Sequence, residues 1–382
     1  MAKSFKKGFL FLALLLGFVV IPAMAQEEEE EDWSKYDDLE LVDDNNVKRY
    51  AKPTIVGLSP TRFLSVSWDM QMPYRMSFSD IRLPASSGTG WGVDEAGNIA
   101  ETARARFTGG IRFNSNIPVI SKSNIVWQTG LNYMRVGYSI DEIQNNRIVI
   151  GPGPWPSPYP SLPRVLNEKG LNNINWTNTV FLPMSEQNFL ILQGSLDMSG
   201  TYDFGFQPLE TIRWSLAAVY GKRVSELKRW GVGVARTYRV GNMNYVPVIM
   251  YDVTSADRKW GTEILFPARA HGRYNFNKNS LLLFGYELEG QSYRVNEFSI
   301  NNNSFEIRRG ELRPRVEFQK QLSGPFWAHF QAGYRIDWSF DADELRGGRE
   351  FFRGFFGTQE FGMKNTLDNA LYFNVGISFV TQ

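Results

Sequence analysis

The sequence predicts an all-β chain: a closed antiparallel transmembrane β-barrel of about fourteen strands, behind a disordered acidic N-terminal arm. Three observations carry this. Apolar and polar residues alternate with period two over stretches of ten or more residues. Aromatic side chains, 14% of the 382 residues, gather near the ends of those stretches. Long and short connections alternate along the chain, as they do where strands cross a bilayer and return.

The N-terminus alters the charge balance of the rest of the chain. Residues 1–25 form a secretory signal peptide. Lys3, Lys6 and Lys7 make its basic start, Phe9 to Ile21 its apolar run, and Ala23-Met24-Ala25 its cleavage site. Loss of three lysines turns the formal +1 of the chain into −2. Residues 26–49 then carry eleven acids against three bases, a net −8, with Glu27 to Glu31 in one run, which leaves +6 for 50–382. The domain reading is therefore signal peptide 1–25, acidic periplasmic arm and lead-in 26–60, and barrel 61–382. A chain of this composition is too hydrophobic to be disordered and too charged for a bundle of membrane helices. Zero Cys excludes a disulfide scaffold, thiolate metal sites and a Cys nucleophile, and two His leave little for zinc. No metal or cofactor is expected, nor a nucleic-acid partner.

Fourteen strands are expected at about 62–72, 103–115, 124–138, 172–183, 188–201, 211–222, 230–239, 244–254, 259–266, 268–276, 280–293, 304–320, 325–340 and 369–380. The short pair around Pro267 leaves twelve as the alternative count. The last strand is the clearest: Leu371, Phe373, Val375, Ile377 and Phe379 share one face, and Tyr372, Asn374, Gly376 and Ser378 the other. In 104–114 the same rule sets Ala105, Phe107, Ile111 and Phe113 against Arg104, Arg106, Thr108, Arg112 and Asn114. Counting back from a periplasmic C-terminus places 74–101, 139–171 and 341–368, the three longest connections, outside. Short turns such as Asn277-Lys278-Asn279 and Leu322-Ser323-Gly324 fall on the periplasmic side. Girdle pairs are expected at Trp127 and Tyr133, Trp214 and Tyr220, and Tyr334 and Trp338.

Between Trp214 and Phe276, the strand bearing Trp230-Gly231-Val232-Gly233 and the one bearing Tyr245-Val246-Pro247-Val248 resemble an uncharacterised outer-membrane β-barrel family of Bacteroidota-type bacteria. The resemblance covers most of 50–382. It implies an envelope location and a single barrel. It implies no reaction and no functional residues.

The face opposite lipid is charged. Arg104, Arg106, Arg112, Arg213, Arg239, Arg269, Arg273, Arg313, Arg315 and Arg335 are expected in the lumen, with Asp69, Asp197, Glu263, Glu287, Glu289, Glu311, Glu317 and Asp337. Two functions fit. Cross-strand ion pairs fill a narrow barrel, or charged rings line a weakly anion-preferring water path. His271 and His329 are the only imidazoles. With Ser195 and Asp197 they would supply the parts of an envelope lipid hydrolase, the weakest of the readings. Two external loops display aromatic rings. Gly151 to Pro163 carries six Pro with Trp155 and Tyr159, and the last loop carries Phe351, Phe352, Phe355 and Phe356. Exposed rings of that number suit a partner or the barrel mouth.

The sequence thus points to an outer-membrane protein with both mature termini periplasmic. Its partners would be outer-membrane lipid, barrel-assembly machinery during insertion, and a small solute. Passive passage or binding of that solute in a constricted charged lumen is the first functional reading. A filled barrel binding a partner through external loops is the alternative. No enzymatic activity is expected. The acidic arm, −8 against a +6 barrel, would act as a periplasmic plug.

Overall fold

A computed structural model describes residues 55–79, 99–145, 161–202, 212–237, 244–300, 303–345 and 362–380. The signal segment, the acidic arm, Arg239 and the loop aromatics Trp155, Tyr159, Phe351, Phe352, Phe355 and Phe356 lie outside the described residues. Strands follow one another around a ring: β1 (Arg62–Gln71, continued by Tyr74–Ser79), β2 (Ile99–Ser115, continued by Ile117–Lys122), β3 (Ile125–Asn145), β4 (Leu171–Pro183), β5 (Asn188–Gly200), β6 (Ile212–Ser225) and β7 (Lys228–Thr237). The ring continues with β8 (Asn244–Thr254), β9 (Trp260–Phe266), β10 (Arg269–Asn277), β11 (Ser280–Ile300), β12 (Asn303–Ser323), β13 (Phe326–Ser339, continued by Ala342–Leu345) and β14 (Asn365–Leu367, continued by Ala370–Val380). Each pairs antiparallel with the next, and β14 closes on β1 with Ser65 opposite Ser378 and Asp69 opposite Asn374. The fourteen expected strands correspond one for one, the short pair at Pro267 included.

The alternation explains the wall. Tyr372, Asn374 and Ser378 of β14 point inward and are buried, while Leu371, Val375 and Ile377 stand exposed outside. Trp68, Trp176, Leu216, Val232, Phe284 and Phe330 continue the same apolar exterior around the ring. Near the short-turn end the outward rings touch one another. Trp260 packs on Tyr274 with centroids 4.6 Å apart, Tyr274 on Phe276 at 5.0 Å, and Phe326 on Phe379 at 5.7 Å. Short turns at that end are closed by their own side chains: the amide of Asn279 donates to Asn277 Oδ1 at 2.8 Å.

Two features depart from the expectation. Several strands run further than expected at the long-connection end, β1 to Ser79, β3 to Asn145 and β11 to Ile300, and form a collar beyond the apolar band. A helix, α1 (Leu162–Lys169), stands in the connection between β3 and β4. Pro163 at its start and Gly170 at its C-cap, with φ of 69°, are the ordinary punctuation of a short helix. Its buried Leu162 and Leu166 join a cluster with Tyr74, Met76, Tyr138, Tyr293 and Phe305.

Candidate functional site

The interior is built in three layers. At the middle, arginines and carboxylates from β1, β2, β11, β12 and β13 interlock. Arg112 reaches Asp69 at 2.5 Å and Glu289 at 2.8 Å. Arg313 reaches Asp69 at 2.9 Å, Glu289 at 3.0 Å and Glu311 at 2.8 Å. Arg309 pairs with the other oxygen of Glu311 at 2.8 Å. Arg335 donates to Gln71 Oε1 at 3.0 Å and lies over the Tyr74 ring at 4.0 Å. Toward the short turns, Arg315 bridges Glu287 and Glu317, and Arg62 also holds Glu317. Six guanidiniums thus face five carboxylates, so the set is close to neutral. Arg335 is 1% exposed and Glu311 0%. Removing such groups from water is costly, and only dense mutual pairing offsets it. Several contacts span the lumen rather than one strand pair: Arg112 of β2 meets Glu289 of β11.

Beyond this layer, toward the long connections, an apolar cluster fills part of the lumen. Tyr74, Met76 and Phe78 of β1, Phe305 and Ile307 of β12 and Phe340 of β13 pack beneath α1. The expected polar lumen therefore holds for only part of the barrel height. The cause is the shortness of β9 and β10. Pairing of β10 with β11 ends at Arg269 opposite Glu287, and β11 rises on without that neighbour. Its free edge meets the end of β5 from across the ring. The amide of Thr201 donates to the carbonyl of Arg294 at 3.0 Å, and Gln291 donates to Ser199 at 2.8 Å. Gly200 makes this approach fit, since a Cβ there would lie 2.7 Å from the Arg294 carbonyl oxygen. At that seam the wall is nine strands around, from β11 through β14 and β1 to β5, a size that side chains can fill.

At the short-turn end the lead-in crosses the mouth. The backbone of Val56 donates to Glu226 at 2.8 Å, and both the amide and the hydroxyl of Ser59 donate to Glu263 of β9 at 2.8 Å. Ile55 is buried. The segment thus runs from the base of β1 to the bases of β7 and β9.

Most expected lumen residues lie where alternation puts them. Arg112, Arg273, Glu287, Glu289, Arg313, Arg315 and Arg335 share the interior, with Arg213 paired to Glu306 at 2.7 Å. Arg269 belongs to the same face but is exposed at the low rim of β10, and Asp337 is half-buried. Arg104 and Arg106 are corrections. Their side chains are 49% and 69% exposed on the outer wall, beside Glu142 and Asp141. The reason is a bulge: Ala105 faces Ile140 and Phe107 faces Ser139, so Arg106 is an extra residue and alternation reverses there. A break at Met72-Pro73 reverses β1 in the same way, turning Tyr74 inward and Arg75 outward. The structure adds Arg309, Tyr293 and Arg62 to the interior. For Arg309 the signal is present in the sequence, since it shares parity with Glu311 and Arg313.

The hydrolase parts are not brought together. Ser195 and Asp197 stand on β5, 3.4 Å apart, His271 on β10 and His329 on β13. His329 shares a hydrogen bond with Asn374 at 3.0 Å, and Asn374 donates to Ser67 at 3.2 Å. Among the described residues no group of three or more His, Asp or Glu side chains is placed to hold a metal ion.

An apolar exterior, ringed by aromatics and wrapped around a charged, interlocked interior, defines a membrane-spanning β-barrel. No family model matches the chain, and no curated protein matches it. Among solved structures it is similar to an outer membrane channel from Pseudomonas putida F1, with a TM-score of 0.31, 12% identity, and 85% of this chain and 97% of that one covered. It is similar to the P. putida toluene transporter TodX, with a TM-score of 0.31 and 5% identity over 87% and 94% of the two chains. It is also similar to the Escherichia coli outer membrane protease OmpT, with a TM-score of 0.28 and 9% identity over 85% and 99%.

Proposed function

We propose that the chain is a bacterial outer-membrane β-barrel with a filled lumen, acting as a structural or partner-binding barrel through its long-loop end and outer wall. The observation that carries this is the seam between Thr201 and Arg294, which joins opposite walls backbone to backbone over an interlocked ionic layer. Both stand in the interior that a solute would have to cross. The charge balance of that layer also removes the motive for an anion-preferring ring. The envelope location rests on the apolar exterior, the leader-like N-terminus and the resemblance to Bacteroidota-type barrels. Cleavage of residues 1–25 would leave both mature termini periplasmic. Outer-membrane lipid and barrel-assembly machinery are its general partners, and we assign it no enzymatic reaction.

Planar-bilayer recording tests the reading. The purified protein, shown to be inserted by protection of its strands from protease, is expected to carry no stepwise conductance, and vesicles containing it should not swell in small sugars. Reproducible steps would overturn the filled-lumen reading and restore solute passage. Unchanged lipid turnover in a His271→Ala, His329→Ala pair is the expected result if neither histidine is catalytic.

A further inference from the structure

The reversals at Pro73 and Arg106 leave a polar patch on the outside of the collar. Arg75 of β1 lies directly opposite Arg104 of β2, and both side chains are exposed. Like charges at opposed positions on one sheet face repel and destabilise the pairing. Arg104 has only a long contact with Glu142, at 3.6 Å, with both groups about half exposed. Among the described residues no carboxylate pairs with Arg75. The two guanidiniums border a groove of about 720 Å³, lined also by Ser77, Thr102, Glu142 and Asp368. Arg106, one step away, is already engaged by Asp141.

The height of this groove decides what can reach it. The last outward apolar side chains below it are Met72, Phe107 and Leu371, 49%, 42% and 53% exposed. Below them Val375 and Ile377 continue the lipid-facing band. The groove therefore opens at the level where acyl chains give way to headgroups. Two arginines facing each other, with the Ser77 and Thr102 hydroxyls one pair further along the same face, suit a phosphate, which guanidinium groups bind by paired charge-assisted hydrogen bonds. Asp368 beside Arg75 and Glu142 beside Arg104 flank the pair on either side and suit the amine or hydroxyls of the same headgroup. A volume of this size and its polar lining suit a headgroup, and the apolar Phe107 and Met72 below it suit the acyl chains.

We propose that Arg75 and Arg104 form an external binding site for the phosphorylated headgroup of an outer-leaflet lipid. The site rests on the membrane reading, with the long-loop end facing outward. It is tested on the full-length mature protein in detergent, titrated with a diphosphorylated glycolipid, with phosphatidylethanolamine or with inorganic phosphate, and read by native mass spectrometry. One phosphorylated lipid per barrel is expected to stay bound. The Arg75→Gln, Arg104→Gln pair should weaken it about tenfold or more. Ser77→Trp, which blocks the groove and keeps the charges, should weaken it too, while Arg106→Gln should not. Each variant is first checked for the heat-dependent gel mobility of a folded barrel. Equal lipid retention by wild type and the double variant overturns the proposal. Displacement of the lipid by millimolar phosphate overturns the lipid source and leaves a simple anion site. Failure of the membrane reading shows separately, as loss of protease protection in vesicles.

Discussion

Glu311 is the residue on which the ionic layer turns. Its two oxygens are held by Arg309 and Arg313, and it is wholly buried. Removing one partner of a buried pair leaves an uncompensated charge, which costs more than the pair itself contributes, about 3–5 kcal/mol. Glu311→Gln is therefore expected to lower the unfolding free energy of the lipid-reconstituted barrel by about that amount, read as an earlier urea midpoint. An unshifted midpoint would mean that the arginines find other partners. At this scale the sequence is most legible where alternation runs unbroken. Parity alone places Arg313, Arg315, Glu287 and Glu289, since each second residue of a long strand must share a face. Parity cannot show that Arg112 and Glu289, 177 residues apart, meet across the lumen.

Elements are legible as segments and illegible at their irregularities. All fourteen strands can be read, because a transmembrane strand must repeat its apolar face along the whole bilayer. The bulge at Arg106 cannot, because one inserted residue changes no composition and reverses every side chain beyond it. That is why alternation alone assigns Arg104 and Arg106 to the lumen. Helix α1 is masked by the six Pro in and before its first turn, which suggest extended chain, although Pro163 and Gly170 mark a start and a stop. The bulge makes a direct prediction. The protein has no cysteine, so a single introduced thiol reports without background. Arg104→Cys should react with a membrane-impermeant thiol reagent on intact cells, and Ala105→Cys, buried inside, should not. Deleting Arg106 sets Ala105 directly before the outward Phe107 in continuous alternation, so Arg104→Cys should stay reactive and Ala105→Cys protected. Equal labelling of Arg104→Cys and Ala105→Cys in the undeleted protein would remove the bulge as the cause.

At the scale of the whole molecule, two closures lie in series and depend on different parts of the chain. One is the seam at Gly200, Thr201 and Arg294, set by the short β9 and β10 that leave β11 without a neighbour. The other is the lead-in from Ile55 to Ser59, anchored on Glu226 and Glu263 at the opposite mouth. Neither is visible in the sequence. Both are contacts between segments far apart in the ring, and local periodicity carries no record of which strand ends first. Seals in series make a specific prediction about conductance. Deleting residues 26–60 from the mature chain removes the acidic arm and the lead-in but leaves the seam. Gly200→Val pushes the seam apart, because its Cβ cannot sit 2.7 Å from the Arg294 carbonyl oxygen, but leaves the lead-in. Each variant alone should therefore stay silent in a planar bilayer, as the wild type should. Steps appearing on deletion of 26–60 alone would show that the lead-in and arm are the working plug and that the seam leaves a path beside it. Steps appearing in Gly200→Val alone would show the reverse, that solutes already pass the lead-in and the seam is the gate.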